Sequence, residues 1–196
     1  ASTCPVLLAP AMNSRMYANG ITQENLLGLL NRERFFQVGP DAGELACGES
    51  GPGRMSQPEV ILAHAKRLLS PQDLAGRSLL VSAGPTREAI DPVRFLSNRS
   101  SGRMGASVAA EAWRRGAQVT LVAGPGVVEP PEGLDLVRVA SAAEMAKAVR
   151  DRAPRQDAVV MAAAVADYRP RRKAKAKHKK TDGLLEMDLV RTTDIL

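Results

Sequence analysis

Leu79-Leu80-Val81-Ser82-Ala83-Gly84-Pro85 is a short apolar run that stops at a Gly-Pro turn, the pattern of a strand buried on both faces. Outward from it the periodicity alternates: a helix over 102–115, strands over 118–122 and 136–139, a helix over 142–152 and a strand over 158–162. Gly116 suits the end of the first helix, and Ser141 with Glu144 forms a capping box at the start of the second. Strands joined by helices must run parallel, so the pattern predicts an α/β fold with a doubly wound parallel sheet. Ligands in such sheets sit beyond the carboxyl ends of the strands. Three of those ends carry suggestive loops: Gly84-Pro85-Thr86, Gly124-Pro125-Gly126 and residues 163–169.

Upstream, Pro5-Val6-Leu7-Leu8-Ala9 reads as a buried strand, 24–34 as a helix, 35–38 as a strand and 43–53 as a glycine-rich loop. Ser56 and Glu59 make a capping box around Pro58, which predicts a helix over 57–69. The break at Ser70-Pro71-Gln72-Asp73 divides the chain into a first domain, 1–70, a linker, 71–77, and a second domain, 78–196.

The 196 residues have room for one large domain or two small ones. The net charge of +6 points to an anionic partner, and much of it lies in 169–180, which carries eight Lys or Arg and no acid. Aromatic residues are 3% of the chain, too few to build a surface for stacking bases. No apolar stretch approaches the roughly 20 residues that cross a bilayer and no signal-peptide pattern opens the sequence, so a cytoplasmic location and no membrane partner are expected. Cys4 and Cys47 cannot form a disulfide framework, and with His64 and His178 they make no four-ligand zinc pattern. Residues 171–177 are low in complexity and self-repelling, and are expected to be mobile.

Two sets of motifs point to chemistry. Pro10-Ala11-Met12-Asn13 follows the first strand, and Gly43-Glu44-Leu45-Ala46-Cys47-Gly48-Glu49 comes some thirty residues later. The glycines around Cys47 argue for a loop rather than a packed element. Together these segments resemble the flavin-dependent phosphopantothenoylcysteine decarboxylases of coenzyme A biosynthesis. The resemblance implies the C-terminal part of a flavodoxin-like flavoprotein domain with FMN as cofactor. It also implies that Asn13 binds the substrate carboxylate and that Cys47 is the catalytic acid on a lid. The family's catalytic histidine and most flavin-contacting segments have no match here, so this stretch alone is not expected to decarboxylate.

The second set is Ser82-Ala83-Gly84-Pro85-Thr86-Arg87-Glu88, then Asp91-Pro92-Val93-Arg94-Phe95-Leu96-Ser97-Asn98-Arg99-Ser100-Ser101-Gly102, then Ala162-Ala163-Ala164-Val165-Ala166-Asp167-Tyr168-Arg169-Pro170 and Lys177-His178-Lys179-Lys180. Ser100-Ser101-Gly102 opens a helix, whose free N–H groups suit a phosphate. About seventeen residues separate Gly84 from Gly102, unlike the tight G-x-G-x-x-G turn of an NAD site. These motifs are similar to those of phosphopantothenate–cysteine ligases, which are Rossmann-like. The resemblance implies CTP as cosubstrate, Mg2+, and an acyl-cytidylate formed from 4'-phosphopantothenate and then attacked by cysteine.

Carried over residue by residue, Asn98 contacts and stabilises the acyl-cytidylate, as both a catalytic and a substrate-binding residue. Asp167 binds cytidine and Lys177 the nucleotide. Gly84, Ser101, Gly102 and Ala163 belong to the nucleotide site, and Thr193, Asp194, Ile195 and Leu196 align with a further CTP-contacting stretch. That stretch is usually written Pro-Asp-Ile, and Thr193 departs from its proline. The metal ligands are not identifiable from the sequence. The family also implies a homo-oligomer: a dimer for the ligase, a trimer for the decarboxylase, and a dodecamer at full length. The alternative reading is a nucleic-acid or acidic-partner module built on 169–180, which lacks interleaved aromatics.

Overall fold

A computed structural model describes residues 3–130, 133–179 and 184–195, and the chain divides into two units, Ala1–Ser70 and Pro71–Leu196. In the first, β1 (Val6–Leu8) and β2 (Phe35–Gln37) pair in parallel with Leu7 opposite Phe36. Between them lie α1 (Ser14–Tyr17) and α2 (Gly20–Leu30). Each is opened by an asparagine whose side-chain oxygen accepts a backbone N–H: Asn13 from Arg15 at 2.8 Å, Asn19 from Ile21 at 3.0 Å. The helix expected over 24–34 therefore starts earlier, because Asn19, rather than the apolar period, fixes its first turn.

Residues 43–53, expected as a loop, belong instead to an antiparallel hairpin of β3 (Asp41–Glu44) and β4 (Ser50–Arg54). Glycine and proline weaken the strand signal in sequence, yet here glycine is what permits the packing. Gly53 has φ +136°, and a Cβ on it would lie 2.1 Å from the Met12 carbonyl oxygen. Met12 N–H donates to the Gly53 carbonyl at 2.9 Å, fixing this close approach. Helix α3 (Pro58–Leu68) carries Pro58 in its first turn, as expected, but not the capping box. Ser56 is buried and its hydroxyl bonds the Asp41 carboxylate at 2.8 Å, so Gln57 opens the helix without a side-chain cap.

The second unit contains β5 (Ser78–Pro85), β6 (Arg87–Ala89), β7 (Phe95–Ser97), α4 (Arg103–Arg114), β8 (Gln118–Ala123) and β9 (Asp135–Arg138). These are followed by α5 (Ala142–Arg152), β10 (Ala158–Ala164), β11 (Tyr168–Pro170) and β12 (Leu189–Arg191). A fully parallel sheet runs in the order β10-β5-β8-β9. The antiparallel hairpins β6–β7 and β11–β12 were not legible in the alternating pattern. Residues 71–77 pack within this unit: Leu74 N–H donates to the Arg115 carbonyl at 3.0 Å, the Gln72 amide to the Arg114 carbonyl at 3.3 Å, and Asp73 pairs with Arg115.

Leu80 and Val122 pack with Met145, Ala148 and Val149 of α5, while Gly105 of α4 lies so close to Ala83 that a Cβ there would be 2.7 Å away. Leu80 and Ala83 point to opposite faces of β5, so the two helices cover opposite faces of the sheet. Each fully buried Leu or Val contributes about 1.5–3 kcal/mol. At α5 the expected cap forms, with Ser141 Oγ accepting from Glu144 N–H at 3.2 Å, but the Glu144 carboxylate accepts from Ala140 N–H at 2.7 Å, one residue before the cap. The buried Glu88 of β6 adds a second carboxylate at that helix end, accepting from Ala142 N–H at 2.7 Å.

Candidate functional site

In the first unit the helix cap decides the geometry. Because the Asn13 oxygen accepts from Arg15, its NH2 group is turned toward the β3–β4 turn, where it lies 3.1 Å from Cys47 Sγ and 3.4 Å from a Glu49 oxygen. The turn is tight, with Leu45 N–H on the Glu49 carbonyl and Gly48 N–H on the Leu45 carbonyl, both at 2.9 Å. Cys47 is exposed at its tip, on a cavity of about 410 Å³ lined by Met12, Asn13, Leu45, Cys47, Arg54 and Met55 among others. Two residues 34 positions apart thus share one cavity, an amide donor beside a thiol. Glu49 joins them. Its acid side chain two residues after Cys47 was the signal for it in the sequence.

In the second unit the topology dictates where a site can be. Strand β5 leads through α4 to β8 on one side, and β9 leads through α5 back to β10 on the other, so the strand order reverses between β5 and β10. Along β10 and beyond its carboxyl end, with no residue of β5 in its lining, lies a cleft of about 620 Å³. Its lining includes Ala163, Asp167, Thr193, Asp194 and Ile195 from the motifs, together with Tyr168, Arg191 and Thr192. Leu196 lies outside the described residues. Arg191 is the one cation among the lining residues, against the carboxylates of Asp167 and Asp194.

Gly84, Ser101, Gly102, Asn98 and Lys177 do not line this cleft. The first three gather at the neighbouring strand end. Gly84 is the register partner of Ala163, and Gly102, with φ +68°, packs on it so tightly that a Cβ would be 3.0 Å from the Gly84 Cα. Gly102 also donates its N–H to Ser100 Oγ at 3.2 Å, while Ser101 is exposed. The helix it opens crosses on the face opposite α5, so its amino end reaches the strand ends from the other side of the sheet.

Asn98 follows β7, and its amide donates to the Val165 carbonyl at 2.8 Å, a residue that does line the cleft. The adjoining turn is held from both sides. Ala166 N–H donates to the buried Thr86 hydroxyl at 2.9 Å, and its carbonyl accepts from the Thr192 hydroxyl at 2.6 Å. Thr192 N–H then donates to the Asp167 carbonyl at 2.9 Å. Thr86, named from the sequence only as part of the Gly84-Pro85-Thr86 loop and its motif, and Thr192, not named there, are structural members of the site. Thr192 stands directly before the singled-out Thr193. Lys177 is exposed in the basic tract, whose backbone is not free as expected: Ala174 N–H donates to the Ile90 carbonyl at 2.9 Å and His178 N–H to Asp91 at 3.2 Å.

Among the described residues no three His, Cys, Asp or Glu side chains come together as a metal site, and no helix is long and apolar enough to cross a membrane.

Comparison with known proteins adds a second line of observation. Residues 74–196 match the model for the DNA/pantothenate metabolism flavoprotein C-terminal domain, and residues 1–70 match the flavoprotein model. The coenzyme A biosynthesis bifunctional protein CoaBC of Vibrio cholerae is 46% identical over 198 residues, covering 100% of this chain and 49% of that protein. The protein of the same name from Mycobacterium tuberculosis is 48% identical over 201 residues, covering 98% of this chain and 48% of that protein. A crystal structure of the C-terminal domain of a CoaBC superposes with TM-score 0.56 at 44% identity, over 64% of this chain and 58% of that one. The chain spans about half the length of the curated relatives it matches.

Proposed function

We infer the function from the premise that this chain belongs to the DNA/pantothenate metabolism flavoprotein family, whose C-terminal domain model covers 74–196. The second unit is the nucleotide-activating part of a phosphopantothenate–cysteine ligase, and the first is part of an FMN-dependent phosphopantothenoylcysteine decarboxylase, both serving coenzyme A biosynthesis. The observation that carries this reading is the cleft at the carboxyl end of β10, which gathers Ala163, Asp167, Thr193, Asp194 and Ile195 from two separate motifs. The nucleic-acid alternative draws no support from the relatives above.

Two carboxylates and one arginine suit the nucleoside end of CTP better than its triphosphate. Carboxylates accept from amino and hydroxyl groups and repel phosphate. Asp167 and Asp194 therefore take the cytidine. The phosphates lie toward the amino end of α4 at Gly102 and the ammonium groups of the basic tract, including Lys177. Asn98 keeps one amide hydrogen for the acyl phosphate while its other hydrogen holds Val165. Mg2+ comes with the nucleotide, since no carboxylate cluster offers it a site among the described residues.

In the first unit the cavity at Asn13 is apolar through Met12, Leu45 and Met55, a lining that fits a substrate laid against a flat flavin ring. FMN, when bound, supplies the two-electron oxidation of the substrate thiol. Asn13 donates to the substrate carboxylate, and Cys47 holds the proton delivered to carbon. Both units work in the cytoplasm within a homo-oligomer.

Thermal denaturation with added nucleotide tests the ligase reading. At 100 times its dissociation constant CTP should stabilise the chain by about 2.7 kcal/mol, and Asp167→Ala should abolish the preference for CTP over the other triphosphates. Equal shifts with all four triphosphates, or none with any, would remove the cytidine assignment.

A further inference from the structure

The turn of the β6–β7 hairpin holds a carboxylate that the ligase reading does not use. Asp91 is 2% exposed. Its oxygens accept from the N–H groups of Val93 and Arg94 at 2.8 Å each, from the Arg94 guanidinium at 2.8–3.0 Å and from His178 N–H at 3.2 Å. The donors on Val93 and Arg94 close an Asx-type turn and would hold the hairpin without help. The one from His178 arrives from 87 positions away, in the basic tract.

The tract is held at two more points on the same turn. Ala174 N–H donates to the Ile90 carbonyl at 2.9 Å, and the Arg94 guanidinium donates to the His178 carbonyl at 2.7 Å. Every one of these contacts uses tract backbone. Lys173, Lys175, Lys177 and Lys179 are exposed, and the tract's ion pair among the described residues is Arg171 with Asp188 at 3.8 Å. Because Arg94 and three N–H groups already satisfy Asp91, the clasp anchors the tract without drawing a lysine into an ion pair. The charge stays available to an anion.

The hairpin also leads directly into the site. Its second strand ends at Ser97, and Asn98 follows. Both ends of the connection carrying the tract, Tyr168 and Arg191, line the cleft.

We propose that Asp91 is a positioning residue for the nucleotide, a clasp that fixes the backbone of 174–178 against the hairpin leading to Asn98 and so presents the tract's lysines to the triphosphate. The proposal rests on the nucleotide reading of the cleft. An unanchored run of like charges would spread away from itself and would have to be ordered by each nucleotide that binds. Anchoring the backbone beforehand removes that cost, which appears in KM rather than in the chemical step.

Two variants attack the clasp from opposite sides in the complete protein. Asp91→Asn weakens the acceptor, while Ala174→Pro removes the N–H given to Ile90 and leaves the hairpin turn untouched. The readouts are the initial rate of tryptic cleavage after Lys175 and Lys177, followed by mass spectrometry, and the steady-state constants for CTP. Both variants should be cleaved about tenfold faster at these sites. KM for CTP should rise about tenfold, with kcat held within about threefold. Faster cleavage with KM unchanged, or a fall in kcat alone, would overturn the positioning role. Unchanged cleavage with normal CTP turnover would overturn the clasp itself. If the unmodified protein turned over no CTP while both variants were still cleaved faster, the nucleotide reading would fall and take the positioning role with it.

Discussion

The cavity at Asn13 and the cleft at the end of β10 are made of unlike material. In the first unit Val38 is the one hydrophobic side chain counted as buried among the described residues, and Cys47 sits at the tip of an exposed turn. In the second, Leu80, Val81, Leu121, Val122 and Met145 are fully buried, and the turn at Val165–Asp167 is clamped by Asn98, Thr86 and Thr192. A thiol on a turn that few contacts restrain can move to meet a substrate. A backbone turn held on three sides keeps its geometry before any ligand arrives, which suits a nucleotide recognised by fixed polar groups. Under the proposed function, chemistry that needs motion and chemistry that needs preorganisation fall on different scaffolds.

Substitutions at the two sites separate them most sharply. Cys47→Ser in the complete protein should slow decarboxylation about 10²–10⁴-fold and leave CTP-dependent ligation at its normal rate. Asn98→Asp should lower acyl-cytidylate yield about 10²–10³-fold and spare the decarboxylase. Rapid-quench assays of each half-reaction check both, and loss of both activities from either change would show that the sites are not independent.

The contrast in burial makes a matching claim about stability. Leu80→Ala should destabilise the second unit by about 2–5 kcal/mol. Leu27→Ala, at a side chain 58% exposed in the first unit, should cost less than about 0.5 kcal/mol. Urea titration of the two variants decides this, and equal costs would erase the difference.

A smaller effect is expected within the clamp. Thr86→Val keeps the shape but leaves the Ala166 N–H without its acceptor, costing about 1–3 kcal/mol. It should also weaken CTP binding, whereas a loss of stability with binding intact would make Thr86 part of the frame only.

The smallest effect is the acid response of Asp91. Burial raises its pKa, but the N–H groups of Val93, Arg94 and His178 and the Arg94 guanidinium outweigh burial and hold it well below the usual carboxylate range. A carboxyl depressed in the folded state stabilises fully above its unfolded value, about 3.9, and loses that contribution as pH falls through the folded value. The difference in stability between the parent and Asp91→Asn should therefore be constant near neutrality and shrink below about pH 4. A difference that grew as pH fell would reverse the sign.

The parallel sheet was legible because its strands are apolar and its helices are capped by local signals such as Ser141 with Glu144. The hairpin β3–β4 was not, since glycines and a proline conceal a pairing that Gly53 makes possible by lying against Met12. Ser56 looked like a helix cap because sequence shows its neighbours along the chain and not Asp41, which takes its hydroxyl. Asn13 and Cys47 were readable as a pair through their motifs. The cleft was only half readable: Asp167 and Asp194 stand in motifs, but Thr86 and Thr192 act through contacts spanning 80 and 26 positions. Hydrogen bonds of that range leave no periodic trace.

The central claim is that the cleft at the carboxyl end of β10 seats a cytidine nucleotide. A crystal structure of the protein grown with CTP and Mg2+ tests it directly. The account predicts the base and ribose beside Asp167 and Asp194, with the phosphates running toward Gly102 and the basic tract. Nucleotide density anywhere else on the second unit, with this cleft left to solvent, would contradict it.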